Sequence, residues 1–380
     1  MLIFNVLYHR ILTGDMRVKS RYKWFLLLVC LLLALTGCNA SRIDEGMYAE
    51  KAKVLDVNTQ TEGEGEFVER IQSVALEIKS GSYKGTKVMT QNALATAYAY
   101  NIEVEKGDRV IVNLEELENG DIEVYIIDYS RDTQIYLLLF LFVLAILYVG
   151  RLQGFKTILT LFLTVFIIFK VHLPLLLKGY DPILITIVVA TIITVVTILF
   201  ISGKEKKGIA AMAGTILGVM ISGGLAFAIG AKVHLTGLSN EEAVMLMYIP
   251  QGIEFNFRGL LFSGILLGAL GAVMDVSMSI ASAVEELNRV NSEMSWQRLY
   301  MSGMSVGRDI MGTMSNTLIL AYTGSSLPLL LLLMAYDSPM NKMMNMDMIA
   351  TEIIRSLAGS IGIVLTIPIT AAVAVLLLKD

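Results

Sequence analysis

Residues 259–287 form an apolar run long enough to cross a bilayer, yet the run carries a carboxylate, Asp275, in its body. About 20 apolar residues suffice for one crossing. A charged side chain at mid-bilayer costs on the order of 3 kcal/mol by insertion scales, so it persists where something uses it. Around it, Gly264, Gly268, Gly271, Asp275, Ser279 and Ser282 recur at steps of three or four, which places them on one helix face. The pattern predicts an integral membrane protein whose helix bundle encloses a polar seam.

Composition supports that prediction. Of the 380 residues, 55% are apolar and 17% charged, and the mean hydropathy is +0.66. A soluble domain of this size needs more charge to cover its surface. The charge is also uneven. Residues 39–133 hold 19 of the 34 acids but 10 of the 30 bases, a net charge of −9. A soluble acidic domain joined to a membrane domain follows, with boundaries at 39–133 and 134–380.

Several chemistries lack their residues. The two cysteines, Cys30 and Cys38, both lie near the start, so no disulfide framework or cysteine-based metal site is available further on. His9, His172 and His234 are scattered, which argues against a metal cluster. The 21 methionines suggest soft-metal transport, but methionine also fills apolar helices, and here no cysteine or histidine accompanies it. No nucleophile–base pair, HExxH or P-loop occurs. The expectation is a protein that is not an enzyme and takes no cofactor.

Residues 1–38 read as an export signal. Arg17, Lys19, Arg21 and Lys23 precede the apolar stretch Trp24–Leu35, and Leu35-Thr36-Gly37-Cys38 closes it. Small residues before a cysteine form the lipobox of bacterial lipoprotein signals. The alternative is an uncleaved signal anchor, and Met16 is an alternative start. Either way the acidic domain is expected outside the cytoplasm.

That domain alternates like short strands at Ala49–Val57, Val74–Ile78, Thr86–Thr90, Val110–Leu114 and Val124–Asp128. Turn signals separate them at Lys79-Ser80-Gly81, Lys106-Gly107-Asp108 and Asn119-Gly120. Five short strands suit a small barrel, OB-like or SH3-like. Its acidity and export argue against nucleic acid as a partner.

Seven further spans are expected at about 134–150, 155–175, 182–202, 208–231, 257–284, 308–334 and 352–378. With residue 134 outside, the cytoplasmic loops carry Arg151 and Lys156, then Lys204, Lys206 and Lys207, then Arg289, Arg298 and Arg308. The outer connections carry fewer cations: Lys170, Lys178, Lys232, Arg258 and Lys342. Positive charge favours the cytoplasmic side, so the two orientation signals agree. Residues 238–256 read as a short amphipathic outer helix with Ser239 as N-cap and Glu242 completing a capping box.

The last spans carry polar stripes. Asp309, Gly312, Asn316, Leu320 and Thr323 share one face, as do Glu352, Arg355, Gly359, Gly362, Thr366 and Thr370. Stripes of this kind, like Gly214 and Gly218 in the fourth span, also serve close helix packing. Thr323-Gly324-Ser325-Ser326-Leu327-Pro328 predicts a break in the sixth span, because proline removes a backbone donor. Broken helices line substrate sites in transporters; a simple kink is the alternative.

At these residues the chain resembles the YibE/F-like bacterial membrane proteins. The resemblance rests on Gly268-Ala-Leu-Gly-Ala-Val-Met-Asp275 with Ser279–Glu286, on Gly307-Arg308-Asp309 through Asn316-Thr317 to Gly324, and on Glu352-Ile-Ile-Arg355 through Gly362. Pro368-Ile-Thr370, Tyr83-Lys84-Gly85 and Lys106-Gly107-Asp108 match as well. It covers roughly 48–380 and implies a multi-span envelope protein with an exported N-terminal domain and relatives of longer and shorter form. It implies no particular activity.

The whole sequence therefore leads to a mostly α, polytopic helix bundle of about seven spans with a small exported β-barrel-like domain, in the bacterial cell membrane. The expected function is that of a gradient-driven permease for a small solute or ion. Its intramembrane site would comprise Asp275, Ser279, Arg308, Asp309, Asn316, Thr317, Glu352 and Arg355. Arg308 and Asp309 would form a gating ion pair, and the acidic barrel would gather ligand at the outer mouth. The alternative is a non-transporting scaffold or sensor whose exported domain binds a partner. The bilayer is the expected partner in both cases, with a shorter membrane relative or a second copy beside it.

Overall fold

A computed structural model describes residues 47–60, 68–95, 101–116, 122–249 and 252–379. The signal segment with Cys30 and Cys38, and the Asn119-Gly120 turn, lie outside the described residues. The chain divides into two compact units at Leu144/Ala145.

The first unit is built on one antiparallel sheet. Its strands are β1 (Met47–Gln60), β2 (Val68–Ile78), β3 (Lys87–Ala95), β4 (Arg109–Glu116) and β5 (Ile122–Tyr129), in the order β3-β2-β1-β4-β5. All five expected strands form, each longer than its apolar kernel because polar outer-face residues continue the ladders. Alternation sets the core: Val110, Val112 and Leu114 of β4 point inward beside Ala52, Val54, Val74, Leu76, Ile78 and Val124. A bulge in β1 between Val54 and Asp56 helps bend the sheet. The Thr90 hydroxyl of β3 donates to the Val124 carbonyl of β5, so the two edge strands approach and the sheet curls into a half-barrel.

Buried amides hold the segment between β3 and β4. Gln72, 2% exposed, accepts from the Val104 N–H at 3.0 Å and donates to its carbonyl at 3.1 Å. Asn92 donates to the Ile102 carbonyl at 2.7 Å. The following turn needs Gly107, whose φ of +103° suits no side-chain-bearing residue.

The second unit is helical. Its first helix, α1 (Asp132–Ile167), starts in the first unit, crosses the boundary and continues through a π turn (Ile168–His172) into α2 (Leu173–Leu177). Then follow α3 (Pro182–Ser202), α4 (Lys206–Lys232), α5 (Glu241–Met245), α6 (Phe257–Val290), α7 (Trp296–Ser325), α8 (Leu327–Ala335), α9 (Met340–Met344) and α10 (Asp347–Lys379). Among the described residues five helices are long and apolar enough to cross a membrane, or six if α7 and α8 count as one bent span.

The expected spans at 134–150 and 155–175 fall in one run of 46 helical residues. At about 1.5 Å per residue such a run would be roughly twice the hydrocarbon thickness. The run is broken, however: Arg151 has φ 46° and ψ −122°. A Cβ at Gly154 would strike the Ile146 carbonyl, a contact impossible eight residues apart in a straight helix. The chain therefore turns back on itself at this point.

Two other expectations shift. The cap of α5 is Asn240, not Ser239, and its side chain makes no capping bond. That one-residue offset moves Glu242 to the second helical position, where it cannot close a capping box. The sixth span begins at Trp296, ahead of the expected 308, capped by Ser295. It bends by 60° at Ser326, with Pro328 in the first turn of α8, where its missing N–H costs nothing.

Helices α4, α6 and α10 form the centre of this unit, with α7 on α6 and α10, and α3 on α4 and α6. Glycines let the backbones meet. A Cβ at Gly218 would lie 2.6 Å from Thr366 Oγ1 and 2.8 Å from Val273. One at Gly362 would lie 2.7 Å from Ser222 Cβ. Gly303, Gly307 and Gly359 are filled in the same way by Val284, Ile367 and Leu318.

Two outcomes are expected. Gly218→Ala should overpack the α4–α6–α10 contact and cost about 1–3 kcal/mol. Gly224→Ala, with open space at its Cβ position, should leave thermal stability in detergent unchanged. In the first unit, Gln72→Leu strands both polar groups of Val104. A loss of roughly 2 kcal/mol is expected, read as faster hydrogen exchange at the Val104 amide.

Candidate functional site

The bundle core does contain a polar seam, but not the one expected. Thr366, fully buried, donates from Oγ1 to the Gly214 carbonyl at 2.6 Å and lies 3.3 Å from Ser277 Oγ. Ser277 donates to the Val273 carbonyl at 2.8 Å. Ser222, Thr215 and Thr370 are buried around the same contact. Thr366, Ser277 and Thr215 satisfy backbone carbonyls, whereas the Ser222 and Thr370 hydroxyls are buried without a hydrogen-bond partner among the described residues. Their signal in the sequence is a matched spacing of four: Gly214 and Gly218 on α4 meet Thr370 and Thr366 on α10.

Asp275 and Ser279 lie on the other side of α6. This helix buries Val273, Val276, Ser277, Ile280 and Val284, and exposes Gly264, Gly268, Gly271, Asp275 and Ser279. The expected inward seam of α6 is thus the outer face of the chain. Periodicity defines a face but not its direction, and the aliphatic row of α6 packs better against α4 and α10 than the carboxylate row would.

The same holds for α7. It buries Leu299, Gly303, Gly307 and Leu318, while Arg308, Asp309, Gly312, Asn316 and Thr317 are exposed. The Thr317 hydroxyl donates to the Thr313 carbonyl at 2.8 Å, which leaves it an acceptor for anything else. The expected gating pair does not form. Among the described ion pairs, none joins Arg308 to Asp309 or Asp275, because consecutive residues on a helix point about 100° apart.

Glu352 and Arg355 are set apart from this group. They pair with each other at 3.2 Å one turn apart on α10. The Arg355 guanidinium lies 5.6 Å over the Tyr322 ring, and the Tyr322 hydroxyl occupies the notch at Gly268. Glu352 Oε2 and Arg355 Nε are buried without a hydrogen-bond partner. Tyr322, which the sequence did not single out, is the link between α6, α7 and α10 here. The Gly359–Leu318–Ala269 and Gly303–Val284 contacts fix the register of α6 against α7 and put Asp275 level with Gly312, about two turns from this cluster. The eight expected residues therefore fall in two places.

Other recesses are less suited to a solute. One between α3, α4 and α6, lined by Ile187, Ala190, Thr194, Val219 and Leu266, offers about 10 Å³, room for at most one water. In the first unit an open cleft of about 780 Å³ runs along Asp108, Arg109, Tyr129 and Arg131. There the Arg131 guanidinium, 2.7 Å from Asp128, and the Tyr129 N–H hold the Asp128 carboxyl below its ordinary range.

Family comparison adds to this geometry. The YibE/F-like protein model matches residues 138–380, and the YibE/F family N-terminal domain matches 46–129. The chain belongs to the YibE/F-like family. No curated protein and no solved structure matches it. Both characteristic parts of a YibE/F-like chain are thus present, and its apolar helices make it a membrane protein. The exposed polar rows lie wholly within the matched helical part.

The two polar rows should respond differently to mutation. Thr366→Val removes a buried bond to the Gly214 carbonyl and should cost about 1 kcal/mol. Asp275→Asn breaks no hydrogen bond or ion pair among the described residues and should leave the melting midpoint in detergent unchanged. Thermal unfolding of the two purified variants beside the parent chain compares them directly.

Proposed function

We propose that this YibE/F-like chain is permease-like, moving a small solute or ion along the exposed polar face of α6 and α7, driven by a gradient. The observation that carries the proposal is Asp275. It sits near the middle of a membrane-length helix, is exposed, and has no ion-pair partner among the described residues. A carboxylate in that position costs several kcal/mol against lipid, on the order of 3. Water along the face removes that cost, and a hydrated carboxylate in the membrane can bind a cation or a proton.

Asn316 and Thr317 offer neutral polar contacts one helix away, and the same helix bends by 60° at Ser326. Counting the run broken at Arg151 as two spans gives seven crossings. With Arg298 and Arg308 inside α7, the remaining cations at the loops, Arg151, Lys204 and Arg289, still favour an extracytoplasmic N-terminal domain in the bacterial cell membrane. Arg308 and Asp309 line the same face without an ion pair between them. A scaffold or sensor reading keeps one supporting observation, the unfilled glycines Gly264, Gly271 and Gly312, which suit a helix partner.

Cysteine labelling separates the two readings. With Cys30 and Cys38 replaced, single cysteines at Gly271, Asp275 and Ser279 are treated with a membrane-impermeant thiol reagent. Leu184→Cys, on an exposed apolar face, and the buried Val276→Cys are controls. Labelling of the first three at rates at least tenfold above both controls is expected. Reactivity of Asp275→Cys no higher than that of Leu184→Cys would remove the water path, and the permease reading with it.

A further inference from the structure

The glycines of the helical unit fall into two kinds. At Gly214, Gly218, Gly223, Gly303, Gly307, Gly359 and Gly362 another helix of the same chain fills the space where a Cβ would stand. At Gly150, Gly224, Gly264, Gly271, Gly312 and Gly324 no atom of the described residues comes within 4 Å. Four of the six, all but Gly150 and Gly224, belong to the exposed sides of α6 and α7. In a membrane, small residues earn close helix contact, so the second kind has notches and no helix to fill them.

The exposed side of α7 carries more than a notch. Arg308 and Asp309 lie one turn below Gly312, both exposed and neither in an ion pair among the described residues. Asn316 lies one turn above, also exposed, with no hydrogen bond from its side chain among those described. A surface that carries both charge signs at one depth is complementary to itself. When two copies meet across a two-fold axis along the membrane normal, equal depths face each other and the contact is isologous.

We infer that α7 is the self-association helix of this protein. Two copies cross at Gly312. Arg308 of each copy faces Asp309 of the partner subunit, and the Asn316 side chains bond across the axis. The site is incomplete without the second copy, because a single chain leaves three charged groups, Asp275, Arg308 and Asp309, on the surface it presents to the bilayer. A different protein would need to supply the same pattern of opposite charges at the same depth; the chain already supplies it. The inference rests on the exposed face described above but not on solute movement along it.

The test uses the full-length chain in native membranes, with Cys30 and Cys38 replaced by serine. Single cysteines are introduced as Gly312→Cys and Asn316→Cys, and on the buried side as Leu318→Cys. After mild oxidation, disulfide-linked dimer is expected for the first two at more than fivefold the yield of the third. A second measurement reads the charges on the Asn316→Cys background. Arg308→Asp alone and Asp309→Arg alone should each lower the dimer yield several-fold, and the two together should restore it. Equal protein abundance in every strain excludes misfolding. Absence of cross-linking along α7 with a monomeric mass in detergent would overturn the inference, as would cross-linking to a protein of another size. Loss of restoration in the double variant would overturn the charge pairing. A water-protected Asp275 with an intact dimer would end the permease reading alone.

Discussion

Everything in the helical unit depends on the close approach of its central helices where water cannot reach. The contact of α4 with α10 shows how this is done. Gly214 and Gly218 remove two side chains, the helices close, and the Thr366 hydroxyl reaches the Gly214 carbonyl at 2.6 Å. Thr370 and Ser277 are buried in the same closure. Because α6 and α10 both meet α4 here, the three helices form one packed centre against which α3 and α7 are placed. Apolar collapse contributes little between helices in lipid, so the close approach and its hydrogen bonds carry the association.

That centre decides the direction of every other face. With Val273, Val276, Ser277 and Ile280 of α6 committed inward, Asp275 and Ser279 must point outward. With Gly303, Gly307 and Leu318 of α7 committed to α6 and α10, the row from Arg308 to Thr317 must do the same. The result is a membrane protein with charged and polar groups on its outer surface. Water on that surface and a second copy against it are compatible answers. A face between two copies can be wet along Asp275 while its α7 edges touch.

Much of this was legible from residue order. The five strands follow from alternation and turn signals. The break near Ser326 follows from Gly324, Ser325, Ser326 and Pro328, and the packing role of Gly214 and Gly218 from their spacing. Other features were not legible. The cap of α5 moved by one residue because Ser239 and Asn240 are both competent caps. The sixth span gained its first turns from Trp296 because its early, polar residues face out and give no apolar signal. Arg308 and Asp309 read as a pair because they are adjacent, yet adjacency on a helix is what separates them.

The sequence by itself determined that this chain has a β domain and a set of membrane-length helices, and which residues share each polar row. Composition, period and turn chemistry are local properties, and they suffice for that. Only the tertiary structure decided which way the rows point. A helix with two usable faces is turned by the better-packed one, and that depends on Gly214, Gly218, Thr366 and Thr370, which lie far away in the chain. Tyr322 gained its place over Gly268 and under Arg355 for the same reason. Its neighbours come from three helices, and no local pattern in residues 318–324 could announce them.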